Sequence, residues 1–199
     1  MGAPKAYLIL TMIAAAAGVA AAVLLLGGRE LELRSGSVLD APRPVGEFVL
    51  TDQHQRPFTL ESLKGNWNLL FIGFSHCPDV CPTTLAIMGQ VEARVRASGR
   101  EVTAVFVSVD PERDTPDLLQ RYVGHFSAYM LGVTGSRDQL ERICSDLGFA
   151  YVKVPQGGGR YTVDHSGALA LIDPQARVVG YFSPPFEVDR LVADLVRLL

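Results

Sequence analysis

Residues 71–85 read FIGFSHCPDVCPTTL, in which an apolar run ends, two cysteines follow four positions apart, and a helix-like stretch begins. Cys77 and Cys81 therefore sit at a strand-to-helix turn. The run before them, Asn68 to Phe74, is continuously apolar after its first residue, as expected of a strand buried on both faces of a sheet. Behind them, Leu85, Met88, Val91 and Val95 recur at helical spacing until Ser98-Gly99 stops the pattern. With a helical rise of about 1.5 Å per residue, the two Cα atoms would lie roughly 6 Å apart along the axis and on nearly one face. That separation suits a disulfide or a shared metal ion. The positive end of a helix dipole favours thiolate over thiol, so depressed pKa values are expected at both cysteines. Two soft anions facing one another select a soft cation, Cu(I) first, or are oxidised to a disulfide. The spacing alone leaves metal binding, redox work and a structural disulfide all open.

Outward from this turn the chain alternates strands and helices. Phe48-Val49-Leu50 and Phe58-Thr59-Leu60 flank a polar turn, the pattern of a small hairpin. After the cysteine helix, Val102 to Val109 reads as a second buried strand, and Asp110 to Pro116 as a turn-rich loop in which Asp114 or Thr115 caps a helix running towards Phe126. A short strand at Leu131 to Val133, a helix from Ser136 to Leu147 and a strand at Ala150 to Val154 come next. A loop at Gly157-Gly158-Gly159 follows, then a hairpin of Ala168 to Ile172 with Val178 to Phe182. Val188, Leu191, Val192, Leu195 and Leu198 make a terminal amphipathic helix. This order predicts an α/β sandwich, a central mixed sheet flanked by helices, with the cysteine turn at a strand's C-terminal end, where such folds place ligands.

Ala6 to Leu26 is apolar apart from Thr11, long enough to cross about 30 Å of hydrocarbon. Val23 to Leu26 extend the segment beyond the short core of a cleaved signal peptide, so an uncleaved transmembrane helix is expected. The chain then divides into a membrane anchor at residues 1–28, a linker at 29–45 and one domain at 46–199. With no Arg-rich transit peptide, the expected location is a bacterial inner membrane, spanned once, with the domain in the oxidising periplasm. Reactive thiols there require a reducing partner. The formal net charge is -3 and there is no basic patch, so nucleic-acid binding is not expected.

A pair of thiolates holds Cu(I), but Cu(II) calls for a harder donor such as imidazole. Of the four histidines, His54 lies in a polar turn and reads as solvated, and His125 near a helix end reads as a cap or surface residue. His76 adjoins Cys77 on a sharp turn and is expected to point away from the metal, in a supporting role. His165, in YTVDHSGALALID, is read equally well as a satisfied loop histidine or as a ligand.

Three segments, FSHCPDVCPTTL at 74–85, SVDPERDTP at 108–116 and VDHSGALALIDPQAR at 163–177, together resemble the SCO/SenC family of thioredoxin-like copper proteins. The likeness covers nearly everything from Val45 to the C-terminus. It implies a thioredoxin-like fold and a copper site, for Cu(I) and Cu(II), made of Cys77, Cys81 and His165. It also implies a metallochaperone for the CuA centre in subunit II of cytochrome c oxidase, supplied by a copper donor and a thiol reductant. Cys77 and Cys81 would form the redox-active pair of any thiol-disulfide reductase activity. Asp164 could orient the imidazole, add an oxygen donor or cap a loop, while Asp79 and Asp110 read as turn residues. Cys144 lies outside the family pattern, on an apolar face with Leu140, Ile143 and Leu147, and reads as a buried inert thiol. The rival readings are a thioredoxin-type oxidoreductase, disfavoured by the extra residue between the cysteines, and a peroxidase, for which Pro78 and Asp79 supply no activating pocket.

Overall fold

Strand β4 (Asn68–Gly73) is buried at every residue, as a continuous apolar run predicts. It is the hub of a computed structural model whose described residues are 11–12 and 33–199. The chain enters the sheet through β1 (Gly36–Pro44), then makes the hairpin β2 (Val49–Asp52) and β3 (Pro57–Thr59) and the single turn α1 (Leu60–Leu63). Beyond β4 lie α2 (Val80–Ala97), β5 (Thr103–Ser108), α3 (Pro116–Gly124), β6 (Leu131–Thr134) and α4 (Arg137–Leu147). A long hairpin, β7 (Tyr151–Gly157) with β8 (Arg160–His165), precedes β9 (Leu169–Ile172), β10 (Arg177–Phe182) and α5 (Val188–Leu198).

The main sheet has the order β1-β10-β9-β4-β5-β6-β2-β3, and β7-β8 form a separate ribbon. β4, β5 and β6 run parallel, whereas β9 and β2 pair antiparallel on either side of them, giving the mixed sheet that was expected. Two crossovers of the same sense set α2 and α3 side by side. They approach closely, since a Cβ on Gly89 of α2 would lie 2.6 Å from the carbonyl oxygen of Phe126, just past α3. Thr115 caps α3, its hydroxyl accepting the Leu118 N–H at 3.3 Å, with Pro116 in the first turn.

Two local expectations need correction. Residues 36–44, read as part of a linker, form the edge strand β1, paired with β10 from Gly36–Phe182 to Pro44–Arg177. Fully buried Asp194 of α5 holds the approach to it, accepting the N–H groups of Arg34 and Ser35 at 3.0 and 2.9 Å and the Ser35 hydroxyl at 2.7 Å. His165 likewise closes a strand rather than standing in a loop, because β7 and β8 pair from Gly157–Arg160 down to Tyr151–His165. Apart from residues 11–12, which are helical, the transmembrane helix expected at residues 6–26 lies outside the described residues. Among the described residues, no helix is long and apolar enough to cross a membrane.

Candidate metal centre

The C-terminal end of β4 delivers the cysteine turn. The Cys77 N–H donates to the Phe74 carbonyl at 3.2 Å, and α2 begins at Val80, so Cys77 is a turn residue and only Cys81 is helical. The turn does what a shared helix was expected to do. Cys77 Sγ accepts the Cys81 N–H at 3.4 Å, which folds its sulfur back over the helix start. Cys81 is fully buried beneath it, while Cys77 is half-exposed.

His165 reaches the same point from the end of β8. The sulfur atoms of Cys77 and Cys81 and one nitrogen of His165 all lie within 4.8 Å of one another. Cys81 Sγ is 3.4 Å from Nε2, and Nδ1 lies 3.0 Å from the Ser166 carbonyl oxygen. That carbonyl can only accept, so Nδ1 carries the hydrogen and the lone pair of Nε2 faces the sulfurs. Ser166, not Asp164, thus orients the ring, and the Asp164 side chain is exposed. Phe71 and Phe74 meet the imidazole edge-on at 5.6 and 6.1 Å and limit its rotation. Two soft sulfurs and one borderline nitrogen form a donor set that fits copper in either oxidation state.

Burial pushes the Cys81 thiol well above the ordinary range, with the charges of Cys77 and Asp114 adding to it. Its hydrogen bond with the Phe74 backbone offsets only part. The depression expected from the helix dipole is therefore reversed at Cys81, because desolvation of a buried sulfur outweighs half a helix charge. A cation entering here must displace that proton. Burial also holds the His165 imidazole below its usual value, favouring the neutral ring that can ligate.

Several supports were not legible as such. Asp114, a candidate cap for α3, is fully buried and turned inward, accepting the Ser75 N–H at 2.8 Å, the Ser75 hydroxyl and the Ser108 hydroxyl. It ties the cysteine turn to the end of β5. Asp110, read as a turn residue, accepts the Tyr161 hydroxyl at 2.7 Å and the Arg113 guanidinium. Arg113 in turn lies 3.8 Å from the Tyr161 ring centroid and donates to the Tyr161 carbonyl at 3.3 Å. These contacts fasten β8, and so His165, to the β5–α3 loop. Their only trace in the sequence is the Asp110–Asp114 loop itself. Elsewhere, His54 is exposed, His125 is the C-cap of α3, and His76 hydrogen-bonds Ser75 Oγ at 3.0 Å without joining the cluster. Cys144 is buried in α4, its thiol pushed up to about 12 by desolvation, in keeping with an inert role.

The model of the SCO1/SenC family matches residues 37–199. A protein of Stutzerimonas stutzeri named for copper binding is 39% identical over 163 residues, covering 81% of this chain and 80% of its own length. The mitochondrial SCO1 homolog 1 of Arabidopsis thaliana is 33% identical over 76% of this chain, which spans only 46% of that protein. The structure of Bradyrhizobium japonicum ScoI with copper bound superposes with a TM-score of 0.72 and 37% identity, over 78% of this chain and 99% of the other. The fold is thus the thioredoxin-like α/β architecture of copper-binding Sco proteins.

Proposed function

The chain belongs to the SCO1/SenC family, and we propose that it is a copper metallochaperone whose ligands are Cys77, Cys81 and His165. The observation that carries this reading is the convergence of two sulfurs and one imidazole nitrogen within 4.8 Å, delivered by β4, α2 and β8. Cu(I) is held by the two thiolates; Nε2 of His165 extends the site to Cu(II). The recipient is the CuA centre of cytochrome c oxidase subunit II. Residues 1–28 anchor the chain in a bacterial inner membrane with its domain in the periplasm, where a copper donor and a thiol reductant serve it.

The deciding experiment is anaerobic titration of the reduced full-length chain with Cu(I) and with Cu(II), for wild type and His165→Ala. One copper per chain is expected in the reduced form and almost none after oxidation, since a disulfide removes both thiolate donors. His165→Ala should weaken Cu(II) binding and alter its sulfur-to-metal absorption far more than it weakens Cu(I). Equal copper uptake by oxidised and reduced protein would sink the site.

A second reading, reduction of the disulfide in the oxidase copper site, is favoured by the asymmetry of the pair. Half-exposed Cys77 can attack a substrate disulfide, and buried Cys81 can then resolve the mixed disulfide. That activity leaves Cys77–Cys81 oxidised and dependent on the reductant.

A further inference from the structure

The cysteine turn is also one wall of an open cleft of about 700 Å³ whose opposite wall is α3 and the residues just past it. Pro82, Leu118, Tyr122 and Phe126 make its surface largely apolar, and the Tyr122 and Phe126 rings pack edge to face at 5.4 Å. Its polar groups are His76, Arg121 and His125, with Ser75 at the turn. No carboxylate lines it. Of the carboxylates close by in sequence, Asp114 is fully buried and engaged by Ser75 and Ser108, while Asp79 and Asp117 are exposed outside the lining and Asp117 accepts a hydrogen bond from Gln55.

We propose that this cleft docks an extended, acidic, cysteine-bearing segment of the protein that receives the copper. The inference rests on the chaperone reading and identifies the surface that reading requires. Position is the first argument. Ser75 and His76 directly precede Cys77 and Pro82 directly follows Cys81, so a segment seated in the cleft runs past the sulfurs. Access points the same way, because Cys81 is 0 % exposed and an incoming thiolate must approach through half-exposed Cys77. Val80, between the two cysteines, is 53% exposed, so apolar surface continues across the turn. Charge selects the occupant. Arg121 faces a cleft lined by no carboxylate, with two imidazoles as further hydrogen-bonding groups, on a chain whose formal net charge is -3, so this local field favours an acidic segment.

Handover is then ligand exchange with no change in oxidation state. Each incoming thiol loses its proton and forms a sulfur–copper bond as the bond to Cys77, and then to Cys81, breaks. The two cysteines take up the two protons, and no electron moves.

The test uses full-length protein and synthetic peptides that carry a cysteine pair, one glutamate-rich and one lysine-rich. Transfer of Cu(I) is followed by stopped-flow, and binding of the serine-for-cysteine versions of both peptides by fluorescence anisotropy. The glutamate peptide should bind and take copper faster than the lysine peptide. Arg121→Glu should slow it roughly tenfold at low ionic strength, and high salt should collapse the difference. Arg197→Glu, on α5, should change neither. Identical behaviour of the two peptides, or of Arg121→Glu and wild type, would overturn the proposal. So would sedimentation showing a wild-type dimer that Arg121→Glu dissolves, since the cleft would then hold a second copy. The binding arm separates the two claims. If glutamate-peptide binding depends on Arg121 but Cu(I) never loads, the chaperone reading fails and the docking surface stands.

Discussion

Gly73 ends β4 without a side chain because of what stands against it. A Cβ there would lie 2.7 Å from Cys81 Sγ and 2.9 Å from the Phe106 ring, both fully buried. Gly73→Ala is expected to cost about 1–3 kcal/mol by overpacking and to displace the Cys81 sulfur. Urea denaturation should record the first effect and Cu(I) competition with a chelator the second; unchanged copper affinity would show that the sulfur has room to move. Cys144 gives the opposite expectation, since its thiol is buried among apolar residues of α4. Cys144→Ser should cost about 1–3 kcal/mol for a hydroxyl in an apolar site while leaving copper stoichiometry as it was. In the native protein, iodoacetamide should modify Cys77 well before Cys144. Peptide mapping that found Cys144 joined to Cys77 or Cys81 would reassign the functional pair. At this scale the cysteine pair was legible because its local context is unambiguous. The inward turn of Asp114 was not, because a capping role and a buried tertiary role leave the same local pattern.

The β7–β8 ribbon has to hold His165 in place although it belongs to no larger sheet. Its hold on the rest of the molecule includes the Asp110–Arg113–Tyr161 contacts, so Tyr161→Phe, which deletes the bond to Asp110, should loosen β8 selectively. Hydrogen exchange should rise in β8 amides and not in β4, and Cu(II) should bind less tightly while Cu(I), held by the thiolates, changes little. Uniform exchange behaviour would show that the ribbon is secured elsewhere. The β2–β3 turn offers a pH test. Burial raises the Asp52 carboxyl, but the Arg56 N–H and guanidinium and the His54 N–H outweigh it and hold the group below its usual value of 3.8. The unfolded chain therefore binds this proton more readily. The resulting stability is complete above about 3.8 and disappears as pH falls through the lower folded value. Asp52→Asn should lower stability near neutrality by about 1–2 kcal/mol and flatten this part of the acid limb in denaturation curves from acid to neutral pH. The ribbon also marks a limit of sequence reading. β8 is largely half-exposed, so it lacks both the continuous run of β4 and the clean alternation of a half-buried strand. The role of His165 consequently came from resemblance, and its placement from tertiary contacts.

For the whole molecule, the parallel core and the order of its elements were readable because each buried strand is a continuous apolar run and each amphipathic helix repeats at helical spacing. The place where the folded unit begins was not. Strand β1 is exposed at most positions, contains two prolines, and shows no alternation that would separate it from a linker. The compact unit nevertheless extends from Leu33 to Leu199, and its opening residues complete two features far away in sequence. One is the edge of the sheet, where Gly36 to Val38 pair with Phe182 to Gly180. The other is Asp194, a buried carboxylate whose hydrogen bonds here come from Arg34 and Ser35. A fragment starting at Pro42, within the stretch read as a linker, would lose both. It would leave a carboxylate stripped of three donors and the flank of β10 unpaired. A loss of roughly 3 kcal/mol or more is expected, since removing the partners of a buried charged group leaves its desolvation uncompensated. A fragment retaining residues 29–199 should keep the urea midpoint of the intact domain. Asp194→Asn in the Pro42 fragment should recover part of the loss, because it removes the unpaired buried charge, while that fragment should also expose the β10 edge and aggregate on concentration. Equal midpoints for the two fragments would mean that β1 and its anchor add nothing to the stability of the copper-binding domain.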